Sequence, residues 1–485
     1  MRNSLRSSFA VSFLLFLSLV AWSVSSPIGS GVDADFHLGS IWCARGEVKG
    51  LCESIDMAAQ PQPTARVPFM FQMCNDRNIY FFPYCEVVNE NPSTQLIRMA
   101  HSDQQSLYYW TAHLFAGSDV NRSVVFIRLF NSLLVALTLF ALLALSANRL
   151  RKAVVISWTL TLIPNGIQLL SGINPRSWAV LGIMSSWAFL YGFLTEDTVN
   201  RLRRRWQLGC YVGAVALAAS SRFDALLYVL STSAIVLCAH FIDFNKLSIK
   251  RIAQLSGTLI VTVFALKLVP RLNSVFSFGV PEPFGSAQYL VFQLVHIPEF
   301  VADWWGYSIG QQGSGPGVIG LVGVILFAVY MYALLRSADR CQLFAVICLS
   351  LFIFLALFRA TTAAAHFIPL TGVYTFGLIA PLIGLTALYS KTEPAKLLST
   401  GMTSFTVIAV ALMHALTFYH WMEFFTRRGV NVQFYETFSL ADSWWWNSSV
   451  SPNWVFFFGS IAFSAFLCSA WKKVKDGSLS EPGYR

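Results

Sequence analysis

Long apolar runs separated by short polar connections dominate this chain. A run of about 17–25 apolar residues is long enough for one helix to cross the hydrocarbon core of a bilayer. We therefore expect an all-α, polytopic membrane protein. The pattern predicts twelve spans, near residues 8–27, 124–147, 153–173, 177–195, 207–221, 224–242, 252–269, 316–335, 341–358, 369–389, 402–419 and 453–471.

The first run, Phe9 to Val24, follows Arg2 and Arg6 and precedes a serine-rich stretch. Such a segment is typical of a cleaved signal peptide and also of a retained first span. We favour retention, because the alternation of loop charges then stays consistent along the whole chain.

The composition agrees with a membrane protein. Of the 485 residues, 55% are hydrophobic and 12% are charged, whereas a soluble domain carries about 25% charged residues. Lys- and Arg-rich loops stay in the cytoplasm during insertion. This rule explains the net charge of +10 without a nucleic-acid partner. If both termini are cytoplasmic, every basic connection lies on that side: Arg149, Arg151 and Lys152; Arg201 to Arg205; Lys246, Lys250 and Arg251; Arg336 and Arg340; Lys391 and Lys396; and Lys472, Lys473 and Lys475.

Three long segments fall on the opposite, extracytoplasmic side. Long non-spanning segments in a compact protein are usually functional, so we expect the active face there, with the first segment forming a small cap. The chain then divides into 1–27 (first span), 28–123 (first outer loop), 124–269 (spans 2 to 7), 270–315 (second outer loop), 316–419 (spans 8 to 11), 420–452 (aromatic outer loop) and 453–485 (last span and tail).

The first outer loop carries four cysteines: Cys43, Cys52, Cys74 and Cys85. In an oxidising compartment they predict two disulfides, for which three pairings exist. We favour Cys43–Cys52 with Cys74–Cys85. The alternative is a zinc site, but the spacings lack the paired C-x-x-C form of a structural zinc centre.

Near the end of the same loop, aromatic and apolar residues recur with a helical period between Ser106 and Phe115. This pattern predicts an amphipathic helix lying on the membrane surface. Ordinary packing of that helix against the spans is the alternative.

The candidate chemistry begins with Asp33, Asp35 and His37, just beyond the first span. Two neighbouring carboxylates can act as a general base and an orienting group, and they can also hold a divalent cation such as Mg²⁺, Mn²⁺ or Ca²⁺. His37 is a candidate ligand or proton partner. The alternative is a solvated acidic loop or a helix cap by Asp33.

Basic residues at the predicted outer ends of spans form a second group. Charge near a bilayer is costly and is usually kept for function. The planar fork of arginine suits phosphate. The candidates for binding a donor phosphate are Arg176, Arg222, Arg359 and His366. The alternatives are an Arg222–Asp224 ion pair that only closes a tight turn, and snorkelling of Arg359 to lipid headgroups.

The third outer loop contains His420 and the run Trp444-Trp445-Trp446. Tryptophan at this depth most often belongs to an interfacial belt. The alternative is a platform on which a sugar acceptor stacks, formed by Trp444, Trp445 and His420.

Two short motifs, Ser26 to His37 and Ser221-Arg222-Phe223-Asp224-Ala225, together with the long first outer loop, resemble the GT-C superfamily of membrane glycosyltransferases. More narrowly, the chain resembles the actinobacterial predicted membrane proteins of unassigned function in that clan. The resemblance implies a GT-C-like fold and a polyprenyl-phosphate sugar as donor. It also implies that Asp33 and Asp35 carry catalysis or metal binding.

We therefore expect a multi-pass plasma-membrane enzyme that transfers a sugar to a cell-envelope glycan or glycolipid. A divalent cation is compatible with the acidic pair but is not required. One rival is a transporter or flippase of a lipid-linked glycan, favoured by Pro164-Asn165-Gly166 in the third span and by Pro381 in the tenth. A second rival is a non-catalytic scaffold in an envelope-assembly complex.

Overall fold

The computed structural model describes residues 2–26, 28, 30, 34–46, 107–162, 164–195, 200–265, 317–336, 338–362, 375–391, 400–426 and 450–476, together with short pieces between them. For some helical residues it describes the backbone alone. The described helices are α1 (Arg2–Val24), α2 (Ala34–Trp42), α3 (Leu107–His113), α4 (Val120–Leu145), α5 (Asn148–Thr161), α6 (Asn165–Ser171), α7 (Arg176–Thr195), α8 (Arg201–Ser221), α9 (Phe223–Phe241), α10 (Ile249–Ala265), α11 (Gly317–Leu335), α12 (Arg340–Thr362), α13 (Ile379–Leu388), α14 (Thr400–Thr426) and α15 (Pro452–Asp476).

The prediction of a membrane protein with several apolar spans is confirmed. In the described part of the chain, 7 helices are long and apolar enough to cross a bilayer, and 8 if a bent pair counts as one span. Their outward surfaces carry large apolar side chains, including Phe9, Leu137, Phe405 and Phe458, as contact with lipid requires. The number twelve stays a prediction, since the apolar parts of α12 and α13 are shorter.

The third predicted span, 153–173, differs from a single straight helix. It is built from α5 and α6, whose axes meet at 92°. Pro164 lies at the break and cannot donate a backbone hydrogen bond to the preceding turn. Close to it, a Cβ on Gly166 would lie 2.3 Å from the Thr161 carbonyl oxygen, so the tight bend has no room for a side chain there.

Several connections that the charge pattern assigns to one side do meet at one end of the bundle. Arg149, at the start of α5, donates to the Ser390 carbonyl oxygen beyond α13. Gln207 of α8 donates to the Leu145 carbonyl oxygen at 2.8 Å. Gln342 donates to carbonyl oxygens that end two other helices, at 2.9 and 2.8 Å. We call this region, with Arg149, Arg151, Arg203 and Arg340, the basic end.

Helix α7 lies at the centre of the packing, with 78% of its most apolar stretch buried. Small residues let its neighbours approach closely. A Cβ on Gly182 would lie 2.4 Å from the Ala214 carbonyl oxygen of α8, and a Cβ on Gly384 of α13 would lie 2.3 Å from the Trp187 ring. This close packing holds the first turn of α7 at a defined position beside α8 and α9.

The described parts of the first two predicted outer loops, 28–123 and 270–315, contain short strands. The first loop has an antiparallel set in the order β1 (Glu53–Ser54), β2 (Thr64–Arg66), β5 (Ile97–Arg98), and a pair of β3 (Met70–Phe71) with β4 (Val87–Val88). The second loop has β6 (Ser308–Ile309) paired with β7 (Gly313–Ser314). The fold class is therefore helical, with small strand elements in the loops.

A disulfide joins Cys43 and Cys52, as predicted. It follows α2 directly and ties that helix to the start of β1. The other predicted partners, Cys74 and Cys85, lie outside the described residues.

Helix α3 forms within the predicted range 106–115 and packs against the protein on one side. Tyr108, Tyr109 and Ala112 are buried, whereas Leu107 and Trp110 on the other side are exposed. The buried side faces α2 in a small core that also contains Trp178. Packing against protein therefore accounts for one face of this helix, and contact of the exposed face with the membrane surface stays a prediction.

Candidate functional site

His37 is held on α2 by contacts with α3. The imidazole is 8% exposed, and its Nδ1 lies 2.8 Å from the Tyr109 hydroxyl oxygen. Two further bonds fix the pair of helices. His113 donates to the Ile41 carbonyl oxygen at 2.9 Å, and Trp42 donates to the Gly117 carbonyl oxygen at 3.3 Å.

Burial, together with the positive charges of Arg176 and Arg222, lowers the pKa of His37 to about 3. The imidazole is therefore neutral at neutral pH. A group with so low a pKa is a weak base, so hydrogen bonding suits His37 better than proton abstraction. Both arginines therefore lie close enough to His37 for their charges to act on it.

Arg222 lies in the turn between α8 and α9, in extended backbone geometry. Its Nε and Nη2 donate to the two carboxylate oxygens of Asp224, each at 2.9 Å. Asp224 also accepts from the backbone N–H of Ala225 at 3.0 Å. The two side chains are 32% and 29% exposed. The ion pair that the sequence offered as the alternative to phosphate binding is therefore present, and it fixes the plane of the guanidinium at the edge of an open space.

Arg176 begins α7 nearby. Its backbone N–H donates to the side-chain oxygen of Asn174 at 2.8 Å, which satisfies one of the free N–H groups at a helix start. This Asn cap follows the bend made by α5 and α6. The local sequence Asn174-Pro175-Arg176 therefore both starts the helix and sets where the Arg176 side chain begins.

The side chains of Arg176 and Arg222 line one cleft, which we call the arginine cleft. It is a small cleft, partly open to solvent, with a cavity volume of about 20 Å³, which is room for about one water molecule. Its lining consists of Arg176, Ala179, Val180 and Ile183 from α7; Arg222, Asp224, Ala225 and Tyr228 from the α8–α9 turn and α9; and Gly377. The cleft is thus polar at the helix ends and apolar along the helix sides. We call this region of the bundle, with His37, the cleft end.

The charges of the arginine cleft suit an anion. Two guanidinium groups face one carboxylate, so the lining carries a net positive charge. Guanidinium binds phosphate and carboxylate oxygens in bidentate fashion. The same charges oppose a divalent cation in this cleft, and among the residues with described side chains no cluster of three His, Cys, Asp or Glu lies close enough to hold a metal.

The remaining predicted site residues lie elsewhere or outside the description. Asp33, His366, Trp444 and Trp445 are outside the described residues. The backbones of Asp35 on α2 and Arg359 on α12 are described, but their side chains are not. His420 is half-buried on α14, and the described lining of the arginine cleft does not include it. The structure thus brings together His37, Arg176 and Arg222.

Sequence reasoning missed three residues near the site. Tyr228 follows Asp224 by one helical turn, a spacing that puts both on one face, and it lines the cleft. Tyr109 lies in the predicted helix 106–115 but was not paired with His37. Arg128 is 5% exposed. It lies inside a predicted apolar span, and a charge at such a place is itself a signal of function.

Residues 16–304 match the model of the family described as "Predicted membrane protein (DUF2142)". The match covers more than half of the 485 residues, so the chain belongs to this family. The matched range contains α2, Arg176 and Arg222. No curated protein and no solved structure matches the chain.

Proposed function

We propose that this membrane protein is a glycosyltransferase that moves a sugar from a polyprenyl-phosphate donor to a cell-envelope glycan or lipid acceptor. The arginine cleft carries the proposal. Arg176 and Arg222 lie at its polar end, and its wall continues over Val180 and Ile183 along α7. The charge of the first part and the apolar character of the second suit a ligand with an anionic phosphate and a long apolar tail.

In this mechanism the carboxylate of Asp33 or Asp35 takes the proton of the acceptor hydroxyl. The acceptor oxygen bonds to the anomeric carbon as the bond from that carbon to the phosphate oxygen breaks. The leaving polyprenyl phosphate carries the developing negative charge, and Arg176 and Arg222 stabilise it. His37, neutral and bonded to Tyr109, orients groups beside the acidic pair.

The remaining predicted residues extend this scheme. Arg359 and His366 would add to the phosphate site, and His420, Trp444 and Trp445 would contact the acceptor. If a divalent cation is used, Asp33 and Asp35 would hold it, and it would supply charge stabilisation beside the acceptor. The scheme places the protein in the plasma membrane with twelve spans, both termini in the cytoplasm and the cleft end outside, and assigns it a GT-C-like fold.

The bend between α5 and α6 keeps a transporter or flippase of a lipid-linked glycan as a second candidate. Broken helices line the substrate sites of many transporters, near the middle of the membrane. Arg176 and Arg222 lie instead at helix ends, which favours the enzyme. Purified protein in proteoliposomes separates the two, since a flippase moves the lipid between leaflets without transferring the sugar.

The decisive experiment is glycan and lipid-linked sugar analysis of a deletion strain that is complemented with variants. We expect the deletion and the double variant Asp33→Ala/Asp35→Ala to lack the same glycan product and to accumulate the donor. The matched control Arg203→Gln, at the basic end, restores the product. Normal product from a stably expressed double variant would sink the enzyme proposal. It would favour the scaffold.

A further inference from the structure

We propose that one turn of α4, formed by Arg128, Asn131 and Ser132, is a positioning element that holds the two halves of the site together. One half is the segment that leads from α1 into α2. The other half is the turn that leads from α6 into α7 and Arg176. We call the turn formed by Arg128, Asn131 and Ser132 the bridge. Its role in catalysis rests on the proposed function, whereas its contacts with the two halves are observed in the structure.

The first half of the bridge is made by Arg128. Its Nη1 donates to the carbonyl oxygens of Ser23, at 3.1 Å, and Ser26, at 2.7 Å. Its Nη2 donates to the Ser30 hydroxyl at 3.4 Å, and that hydroxyl donates to the Ser26 hydroxyl at 2.7 Å. One guanidinium therefore contacts the chain at three points between the end of α1 and the start of α2.

Ser132 adds a second link to α1, with its hydroxyl 2.9 Å from the Ser23 hydroxyl. The last carbonyl groups of a helix have no partner within the helix. A cation at this end is also favoured by the helix dipole. The end of α1 is therefore satisfied by α4, and the direction in which the chain leaves α1 is set there.

The second half of the bridge is made by Asn131, which is 2% exposed. Its amide nitrogen donates to the Gly172 carbonyl oxygen at 2.8 Å. Its amide oxygen accepts from the Trp178 indole N–H at 3.0 Å. Gly172 ends α6, and Trp178 lies two residues after Arg176. The amide nitrogen and the amide oxygen of Asn131 thus both bind the turn that carries Arg176.

Apolar packing alone does not require these residue types. A buried guanidinium and a buried amide are costly unless their hydrogen bonds are made, and those bonds are directional. An apolar turn of α4 would fill the same space without fixing the angle at which α2 and α7 leave it. None of the three residues lines the arginine cleft, so they act through α2 and α7 and not on a ligand directly.

Hydrogen–deuterium exchange of the full-length protein in nanodiscs tests the bridge without any assay of activity. The variant Arg128→Lys keeps the positive charge and loses the planar guanidinium with its several N–H donors. It should raise the exchange rate of the peptide covering α2 at least tenfold. Asn131→Asp keeps the acceptor for Trp178 and loses the donor to Gly172. It should raise exchange in the peptide covering the α6–α7 turn by a similar factor.

The matched control is Thr138→Ala, in the same helix, where the hydroxyl bonds to the Leu134 carbonyl oxygen of its own helix. It should leave both peptides at the wild-type rate. Wild-type exchange in the two site variants would overturn the proposal. A uniform rise that includes α14 and α15 would overturn it as well, because that is the result of general destabilisation.

Binding of farnesyl phosphate connects the bridge to the proposed function. We expect Arg128→Lys and Asn131→Asp to weaken this binding at least fivefold, and Thr138→Ala to leave it unchanged. If the wild-type protein does not bind farnesyl phosphate, the proposed donor is wrong, and the exchange data still decide the bridge. If the two variants raise exchange locally but leave a measurable affinity for farnesyl phosphate unchanged, the bridge has a structural role only, and its positioning role is overturned.

Discussion

Arginine side chains at the basic end donate to the carbonyl groups that end helices, whereas Arg176 and Arg222 at the cleft end line an open cleft. Arg151 donates to the Leu143 and Ser146 carbonyl oxygens at 2.9 and 3.0 Å, and Arg203 donates to that of Leu145 at 2.7 Å. Each thereby closes the end of α4. At the cleft end, Asp224 fixes the plane of the Arg222 guanidinium beside the open space.

Arg128 shows that position alone does not make the difference. It lies at the cleft end, yet it donates to backbone carbonyl groups as the basic-end arginines do. An arginine is a candidate ligand-binding group where it lines an open cleft together with a second cation. It is a structural group where helix carbonyls take up its hydrogen bonds. The predictions below test this contrast, from the largest expected effect to the smallest.

The largest effect is expected from the acidic pair. Asp35→Asn, and Asp33→Asn in a second protein, should lower sugar transfer by about 10²- to 10⁴-fold where the residue is the general base. Transfer of labelled sugar from a polyprenyl-phosphate donor, measured in nanodiscs, checks this. Near wild-type turnover in both single variants and in the double variant would contradict the proposed role.

The arginine comparison itself comes next. Arg222→Gln combined with Asp224→Asn removes the guanidinium without leaving a lone carboxylate. It should lower turnover by about 10²- to 10³-fold if the charge stabilises the leaving phosphate. The basic-end variant Arg203→Gln should stay close to wild type in the same assay. Equal losses of turnover in the two variants would contradict the distinction between the arginines of the cleft end and those of the basic end.

The disulfide offers a smaller effect confined to the cleft end. The double variant Cys43→Ser/Cys52→Ser should lower the free energy of unfolding by about 2–3 kcal/mol, because it frees a short closed loop in the unfolded chain. Chaotrope unfolding followed by tryptophan fluorescence measures the change. Peptide mapping without reductant tests both predicted bonds, and a Cys43 peptide joined to any cysteine other than Cys52 would refute the observed pairing.

The smallest effect is a pH dependence at His37. Its pKa is about 3 in the folded protein and near the ordinary 6.5 in the unfolded chain, so the unfolded chain binds the extra proton between these values. The contribution of His37 to stability is therefore complete above pH 6.5, and it falls by about 1.4 kcal/mol per pH unit below that value, which amounts to about 2 kcal/mol between pH 7 and pH 5. Thermal unfolding measured at pH 7, 6 and 5 would show it.

His37→Gln should lower the slope of stability against pH by the contribution of this one histidine. Arg222→Gln should raise the pKa of His37, because one of the two nearby positive charges is gone, and the loss of stability should then stop at a higher pH and be smaller in total. A dependence of wild-type size in His37→Gln would assign the titration to another group.

The apolar pattern predicted the helical fold well because a 3.6-residue period and a span of fixed length leave strong signals in a chain. Predicted runs such as 177–195 and 316–335 fall on α7 and α11 with ends that differ by one residue. Pro164 indicated in the sequence that the helix could break there. The 92° angle of the bend depends on how α6 packs against α4 and α7. The short strands in the loops carry almost no periodic signal.

The candidate site was predicted in part. Arg176 and Arg222 were selected because charge is costly near a bilayer, and the cleft unites them. Arg128 was overlooked because the search for apolar runs averages hydropathy over about twenty residues, and a single charged residue changes that average little. The pairing of His37 with Tyr109 joins residues 72 positions apart, and no local pattern encodes such a contact.

By itself, the sequence determined that the chain is a multi-span membrane protein, and it predicted that the basic connections share one end and that Cys43 pairs with Cys52. These properties follow from apolar length, charge and spacing, which are local. Only the tertiary structure decided which arginines line a cleft and which close helix ends. That choice depends on which carbonyl groups and side chains lie within about 3 Å of each guanidinium, and the packing of α4, α7, α8 and α9 sets those distances.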